Sequence, residues 1–403
     1  MNSERNLFVS LAGVLLGFGV LMVYSASITS RPTEFEQIYL SRHLIHLVVG
    51  VLAGSLCSIV PSQFWQRAAP WLFAGTLGFV VLVLVPGIGT RVNGAQRWLR
   101  LGPLQMQPSE LAKITLPMLL GAMAVKRRTS LHRWFAGTIP FVLPIAVVMP
   151  LVLKQPDLGT AVFLAMSSGM LLFLAGWPIR NFALGLVPAA GVALTLKPYQ
   201  WQRITDFMAT WTDIERASYH VKQSLLSMGS GGLMGVGVGK GWQKLSFLPE
   251  ANTDFVIAVV GEELGLVGSL GLILLWAGFF ITGLELFRKH DRRSFEFLVG
   301  VTLLSQMVLQ AAINVAVVTS MLPTKGISHP LISYGGSNLV INLVAIGIMV
   351  SLSKSQSIVE DTASSGTLVE HRHAPHIGQA VLPQAVSRLC FVCVSVILCL
   401  PTL

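Results

Sequence analysis

Residues 6–30 pass without a single Asp, Glu, Lys or Arg, and eight more such runs follow at 43–66, 68–90, 134–153, 158–179, 181–196, 264–284, 297–324 and 326–353. Hydrocarbon offers no water to a peptide group, so a chain built this way is confined to helices or a closed barrel. A helix of ~20 residues crosses ~30 Å of bilayer, and most of the runs reach that length. None alternates polar and apolar residues over ~10-residue segments, which argues against a barrel. A weaker run, 114–125, becomes a span if it starts near Ser109. The expected fold is therefore an all-α polytopic membrane protein of about ten transmembrane helices. One large extracytoplasmic loop, about 197–253, separates spans 7 and 8. Composition agrees: 11% of residues are charged, against roughly 25% in soluble domains.

Two regions are expected. Residues 1–354 form the transmembrane domain, and 355–403 a polar, disordered cytoplasmic tail ending in an apolar segment, 389–403, too short for an ordinary span. The first run lacks a basic flank followed by a small-residue cleavage site, and is expected to stay as the first helix. Cys57 falls in a span and Cys390, Cys393 and Cys399 in the tail, so no disulfide is inferred. His371, His373 and His376 also lie in the tail, without a cysteine to complete a zinc set.

With the N-terminus inside, the two densest basic clusters, KRRTSLHR (126–133) and RKHDRR (288–293), both fall on the inner side. Twelve Lys and Arg then lie inside and seven in the short outer loops, which favours a cytoplasmic N-terminus. The large outer loop adds six more, and the net charge is +10. Cations beside a membrane surface suit an anionic partner such as a phospholipid or a polyprenyl diphosphate. Nothing points to nucleic acid.

Five segments concentrate chemistry, and the topology brings them to the outer face. RVNGAQRWLRLGPLQMQPSELAK (91–113) is a shaped loop with Arg97, Trp98 and Arg100, suited either to a sugar diphosphate or to interfacial anchoring. Its end offers Ser109 as a helix cap and Glu110 with Lys113 as an i,i+3 ion pair. In KQPDLGTA (154–161), Lys154 and Asp157 flank a break between spans, Asp157 as a helix cap or as support for a site. The glycine-rich run 229–241 contains Lys240 and is followed by Lys244. It is not a P-loop: Met234 stands where the first glycine would be required, and Gly241 follows the lysine. Close backbone approach to a phosphate-bearing lipid and a flexible surface loop both remain open. LPTKGISHPLISYGGSNLVINL (322–343) keeps irregular backbone at the membrane surface, with Lys325, Ser333, Tyr334 and Ser337, as a cavity lining does.

The fifth segment is LPEANTDFVIAVVGEELG (248–265), which holds Glu250, Asp254, Glu262 and Glu263 where a span begins. Acids in a membrane cost ~2.5–3.5 kcal/mol on insertion scales, so they are functional or paired. Glu262 and Glu263 lie deeper and suit packing against neighbouring helices. Asp254 combines surface access with nearby cations, and a helix N-terminus there is expected to lower its pKa.

Together these segments resemble the SEDS (shape, elongation, division and sporulation) family of membrane-embedded peptidoglycan polymerases. The likeness covers about 7–353 in order, on NGAQRWLRLGPLQMQPSELAK, KQPDLGTA, QSLLSMGSGGLMGVGVG, LPEANTDFVIAVVGEELG and LPTKGISHPLISYGGS. LPTKG and GEELG are more similar to the division branch than to the elongation branch. Ser246, Asn252 and His329 depart from residues frequent in the family. The resemblance implies an inverting glycosyltransferase joining lipid II units into β-1,4 glycan at the outer face of the bacterial cytoplasmic membrane, at the division septum. It places the family's essential aspartate on Asp254, its loop tryptophan on Trp98 and its last-loop lysine on Lys325. It also implies a class B penicillin-binding protein transpeptidase and other divisome proteins as partners.

On that reading Asp254 is the base, and Arg97, Arg100, Lys240, Lys244 and Lys325 are diphosphate partners. Trp98 and Ser333 join the substrate site, and Glu110, Lys113, Lys154, Asp157, Glu250 and Glu262 support it. No cofactor is required, and a divalent ion at Asp254 is an alternative role for that carboxylate. A lipid II flippase is the rival reading. It needs a polar path across the bilayer, whereas spans between 134 and 196 carry charge only at their ends.

Overall fold

The structure, a computed structural model, describes residues 2–27, 34–92, 95–101, 104–183, 198–211, 217–245, 247–324 and 326–354. Lys325, Ser246, nearly all of the expected seventh span and the tail with its histidines lie outside them. Six helices open the chain: α1 (Asn2–Ala26), α2 (Glu34–Ile59), α3 (Ser62–Leu84), α4 (Pro108–Lys126), α5 (Trp134–Lys154) and α6 (Leu158–Leu174). After 183 come α7 (Pro198–Thr210), α8 (Tyr219–Ser230), α9 (Val256–Phe287), α10 (Phe295–Val318) and α11 (Gly336–Ser353).

Among the described residues, α1, α2, α3, α5, α9, α10 and α11 are long and apolar enough to cross a membrane. The expected helical membrane architecture thus holds. Helix α6 has only 17 residues, and α4 carries Glu110 and Lys113 in its first two turns. Some boundaries differ from the sequence reading. The chain breaks at Pro61, which caps α3, and not at Arg67, because proline cannot continue α2. Helix α9 starts at Val256, close to the expected end of the outer loop at 253, and so takes in Glu262 and Glu263 ahead of the uncharged run from 264. The 91–113 loop holds a small antiparallel sheet, β1 (Gly89–Val92), β2 (Ala95–Leu101) and β3 (Leu104–Met106), in the order β1-β2-β3. Helix α4 is capped by Gln107 with Pro108 in its first turn, so Ser109 lies inside the helix.

Two packing devices organise the bundle. Helix α2 lies against α11 through Gly50, Gly54 and Gly347: a Cβ on Gly54 would stand 2.5 Å from Leu343 O, and one on Gly347 2.0 Å from Gly54 O. Apolar side chains gain little by leaving lipid for one another, so membrane helices gain most where small residues let backbones touch.

The second device is a break in α9. Gly265 has φ 64 and ψ −162 inside the helix, a conformation open essentially to glycine alone. Leu266 and Val267 therefore cannot donate to Glu262 O and Glu263 O in helical fashion. They donate to Gly232 O and Leu233 O at 3.0 and 3.1 Å, while Val236 N and Gly237 N donate to Glu262 O and Glu263 O at 3.0 Å each. The glycine-rich run is thus the strip that satisfies the broken helix. A Cβ on Gly235 would lie 2.2 Å from Glu263 O. The stretch expected as one outer loop is consequently split, with 231–241 inserted beside α9 and α8 packed on α9 and α10. Ser224 Oγ on α8 donates to Val318 O at 2.8 Å.

Side chains lock this insertion. The fully buried Lys244 and Glu263 form an ion pair, Lys244 Nζ also donates to Ser25 O at 2.8 Å and Ser25 Oγ at 2.9 Å, and Ser25 Oγ donates to Glu263. Glu262 Oε1 accepts from Trp242 N and Gln243 N at 2.7 and 3.1 Å. Glu263 therefore joins α9 to α1 as expected, while Glu262 holds a loop and not a helix. Removing one partner of a buried pair strands the other charge, at about 3–5 kcal/mol, whereas replacing both by apolar residues is often neutral. Lys244→Met alone is expected to lower the thermal unfolding midpoint in detergent sharply, and Lys244→Met with Glu263→Leu to recover most of it.

Candidate functional site

Asp254 lies in the turn just before α9, at the end of the bundle where α4, α6 and α11 begin and α10 ends. The cap position is Phe255, and no side chain caps the helix, so the lowering of the Asp254 pKa expected from a helix N-terminus does not occur. Burial pushes the Asp254 carboxyl up to about 7, the Glu250 carboxylate adds to the rise, and the Arg203 guanidinium opposes it. Glu250 sits at φ 54 and closes the turn, its carbonyl accepting from Thr253 N and Phe255 N at 3.1 and 3.2 Å. Thr253 Oγ1 donates to its carboxylate at 2.9 Å.

The loop between α10 and α11 folds over this turn. A Cβ on Gly326 would stand 2.9 Å from Asp254 Oδ2, so only a glycine leaves the carboxylate its place. Asn314 Nδ2 on α10 ties the two together, donating to Asp254 O at 2.9 Å and Ile327 O at 2.7 Å. Tyr334 N donates to Asn252 O at 2.8 Å. One turn back along α10, Gln310 Nε2 donates to Ser328 O at 2.8 Å and its Oε1 accepts from Lys113 Nζ at 3.3 Å. Lys113 is itself paired with Glu110 at 2.7 Å and lies over the Phe163 ring, 5.1 Å from its centre. The expected ion pair on α4 thus holds up the loop beside Asp254 through Gln310.

Asp157 caps α6, accepting from Thr160 N at 3.1 Å, Thr160 Oγ1 at 2.8 Å and Gln107 Nε2 at 2.8 Å. A Cβ on Gly159 in the same turn would stand 3.9 Å from Ile327, so the α6 start lies close against the loop. Arg97 reaches from β2 to the same corner, donating to Gln155 O at 2.8 Å and Pro156 O at 2.6 Å, with Asp157 at 3.9 Å.

The predicted cations separate into three groups. Arg100 and Lys240 are exposed, as is Lys154. Arg97 is occupied in tethering the sheet, and Lys244 is fully enclosed by Glu263 and Ser25, which removes it from any surface that could meet a diphosphate. Lys325 lies outside the described residues. Ser333 also departs from the surface role expected of it: it is buried, its Oγ accepting from His329 N at 2.8 Å. Trp98 is half-buried on β2, opposite Thr90. Among the described residues no three His, Cys, Asp or Glu gather as a metal site. Three residues here were not singled out from the sequence. Gln310 and Asn314 follow Thr302 and Gln306 at a spacing of four, a buried polar stripe on an apolar helix that the sequence does display. Arg203 was counted only as loop charge.

The signature of the cell cycle protein family FtsW/RodA/SpoVE matches residues 5–358. A probable peptidoglycan glycosyltransferase FtsW of Geobacter sp. (strain M18) is 36% identical over 349 residues, 85% of this chain and 95% of the relative. Another from Aromatoleum aromaticum is 40% identical over 351 residues, 85% of each. Among solved structures, a chain described under "Structural coordination of polymerization and crosslinking by a peptidoglycan synthase complex" is similar with TM-score 0.70 and 27% identity, over 86% of this chain and 97% of that one. The crystal structure of the Thermus thermophilus rod shape determining protein RodA is similar with TM-score 0.63 and 27% identity, over 86% and 96%.

The Arg97 tether is directly testable. Lysine offers one point charge in place of the fork that reaches both carbonyls. Arg97→Lys is expected to raise protease cleavage within 89–106 severalfold while leaving the unfolding midpoint within about 2 °C, a small shift for loss of a surface contact; unchanged cleavage would count against the tether.

Proposed function

The chain belongs to the FtsW/RodA/SpoVE family of cell cycle proteins, and from that membership we propose that its Asp254 end polymerises lipid II into glycan strands with Asp254 as general base. It is a multi-pass membrane peptidoglycan glycosyltransferase. The observation that carries the assignment of the base is the half-buried Asp254 carboxyl, closely approached by Gly326 and pushed up to about 7. An ordinary aspartate near 3.9 would take a proton poorly, whereas a base matched to neutral pH transfers it efficiently.

The step is a single displacement. The acceptor's 4-hydroxyl oxygen attacks the donor's anomeric carbon as its proton passes to Asp254. The bond from that carbon to the phosphate oxygen breaks, and the diphosphate departs with the electron pair. Diphosphate is a competent leaving group once cations face it, so a second carboxylate acting as acid, as in glycoside hydrolysis, is dispensable. The α-linked donor becomes a β-1,4 link. Exposed Arg100 and Lys240, together with Lys325, remain the cations from the sequence reading that fit the diphosphate, and Trp98 fits a sugar face. No step is routed through a divalent ion.

Membership of the division branch rests on relatives named FtsW at 36–40% identity. On this proposal the protein works in the bacterial inner membrane at the septum, with the N-terminus cytoplasmic and Asp254 outside, and residues 1–354 form the catalytic membrane domain. A class B transpeptidase partner is supported by likeness to a chain from a peptidoglycan synthase complex. The flippase reading is disfavoured because the enclosed charges Lys113–Glu110 and Lys244–Glu263 are neutralised in pairs at the Asp254 end, and the buried stripe Thr302, Gln306, Gln310 and Asn314 on α10 is polar without charge.

Purified protein given labelled lipid II is expected to form long glycan products, with Asp254→Asn at least ~100-fold slower, the scale of a lost general base. Full activity in that variant would sink the assignment. Because the base acts ionised, kcat/KM is expected to rise with pH and level off above about 7; a rise centred near pH ~4, where an ordinary aspartate titrates, would overturn the raised pKa of Asp254.

A further inference from the structure

We propose that Arg203 is a diphosphate-binding residue of this site, its guanidinium presented by the interfacial helix α7 to the leaving group of the lipid-linked donor. The inference rests on the polymerase reading above and names a residue which that reading does not use.

Helix α7 has two unlike sides. Trp201 and Met208 are 50% and 64% exposed, and Trp211 just past its end is 63% exposed. At 100° per residue, Met208 lies within about 20° of Trp201, while Arg203 is turned about 160° away. Large apolar side chains along one side and charge on the other describe a helix lying in the membrane interface. That places Arg203 at the level where a lipid diphosphate sits.

The guanidinium is also joined to the site. Arg203 Nη1 donates to Thr324 O at 3.3 Å, two residues before Gly326, whose missing side chain makes room for Asp254 Oδ2. Its charge reaches the Asp254 carboxylate, partly opposing the rise in that group's pKa. Yet the side chain is exposed, and among the described residues no carboxylate stands within ion-pair distance of it. One bond to a carbonyl leaves most of a five-donor fork available. By contrast, Arg97, Lys113 and Lys244 spend their donors on protein acceptors. A planar fork held beside the base, at the membrane surface and without a counter-ion among the described residues, has the geometry for bidentate phosphate recognition. In the displacement above, the diphosphate gains charge as the carbon–oxygen bond breaks, and Arg203 would face that charge.

Two measurements test it separately from the polymerase reading. The first is binding of undecaprenyl diphosphate to the purified full-length protein, which needs no turnover. Arg203→Gln is expected to weaken it tenfold or more, with Arg203→Lys recovering part of the loss. The second is kinetics with labelled lipid II. Arg203→Gln is expected to raise KM and to move the acid limb of the pH profile to higher pH, since losing a cation makes Asp254 harder to ionise. Undecaprenyl diphosphate binding within twofold of the unsubstituted protein would overturn the proposal, whatever happens to turnover. Failure of the unsubstituted protein to polymerise lipid II would overturn the function and leave the binding result standing. Because Arg203 is exposed, both variants are expected to keep the unfolding midpoint.

Discussion

A peptide group inside hydrocarbon must find its hydrogen-bond partner within the protein, and the break at Gly265 turns that rule into the organising feature of this chain. Once α9 opens there, Glu262 O, Glu263 O, Leu266 N and Val267 N need partners at membrane depth. The 232–237 strip supplies all four. Its glycines are required by contact, since any side chain at Gly235 would strike the Glu263 backbone. What looked like a phosphate cradle or a slack surface loop is a structural insert, and its position determines where the short outer half of α9, with Asp254 just before it, is held.

Charge follows the same logic. Lys244 and Glu263 neutralise each other against Ser25, and Lys113 and Glu110 do so beside Gln310. Each pair braces backbone near the site. The Lys113 chain runs through Gln310 to Ser328 and meets Asn314, which holds Asp254 O and Ile327 O. Asp254 itself is left with a repelling carboxylate and, among the described residues, no ion-paired cation; Arg203 opposes the rise in its proton affinity only in part. On the proposed function, a site whose enclosed cations are already paired relies on exposed ones for an anionic substrate, and that difference separates Arg203 from Lys244.

Much of this was legible in the residues. Uncharged runs marked the helices because a ~20-residue apolar stretch has few other folds available. Asp254, the Glu110–Lys113 pair and the Asp157 cap were visible because an acid at a span boundary or before a helix has few roles. The small-residue pair Gly50 and Gly54 was equally visible as close-packing spacing and went unused. The roles of Lys244 and Ser333 were not legible. Nothing local distinguishes a lysine facing solvent from one enclosed by a glutamate nineteen residues further on and a serine in the first helix.

The sequence by itself determined a polytopic helical membrane protein, the end of the bundle where polar residues gather, the family and the aspartate that stands apart. Hydropathy, punctuation by proline and glycine, and motif spacing are properties of neighbours along the chain, and they suffice for that. The tertiary structure alone decided which cations are spent on protein acceptors and which face outward, that the glycine run repairs a broken helix, and that burial, not a helix end, governs Asp254. Those outcomes depend on groups far apart in sequence meeting where water is scarce, because desolvation and pairing act through distance in space.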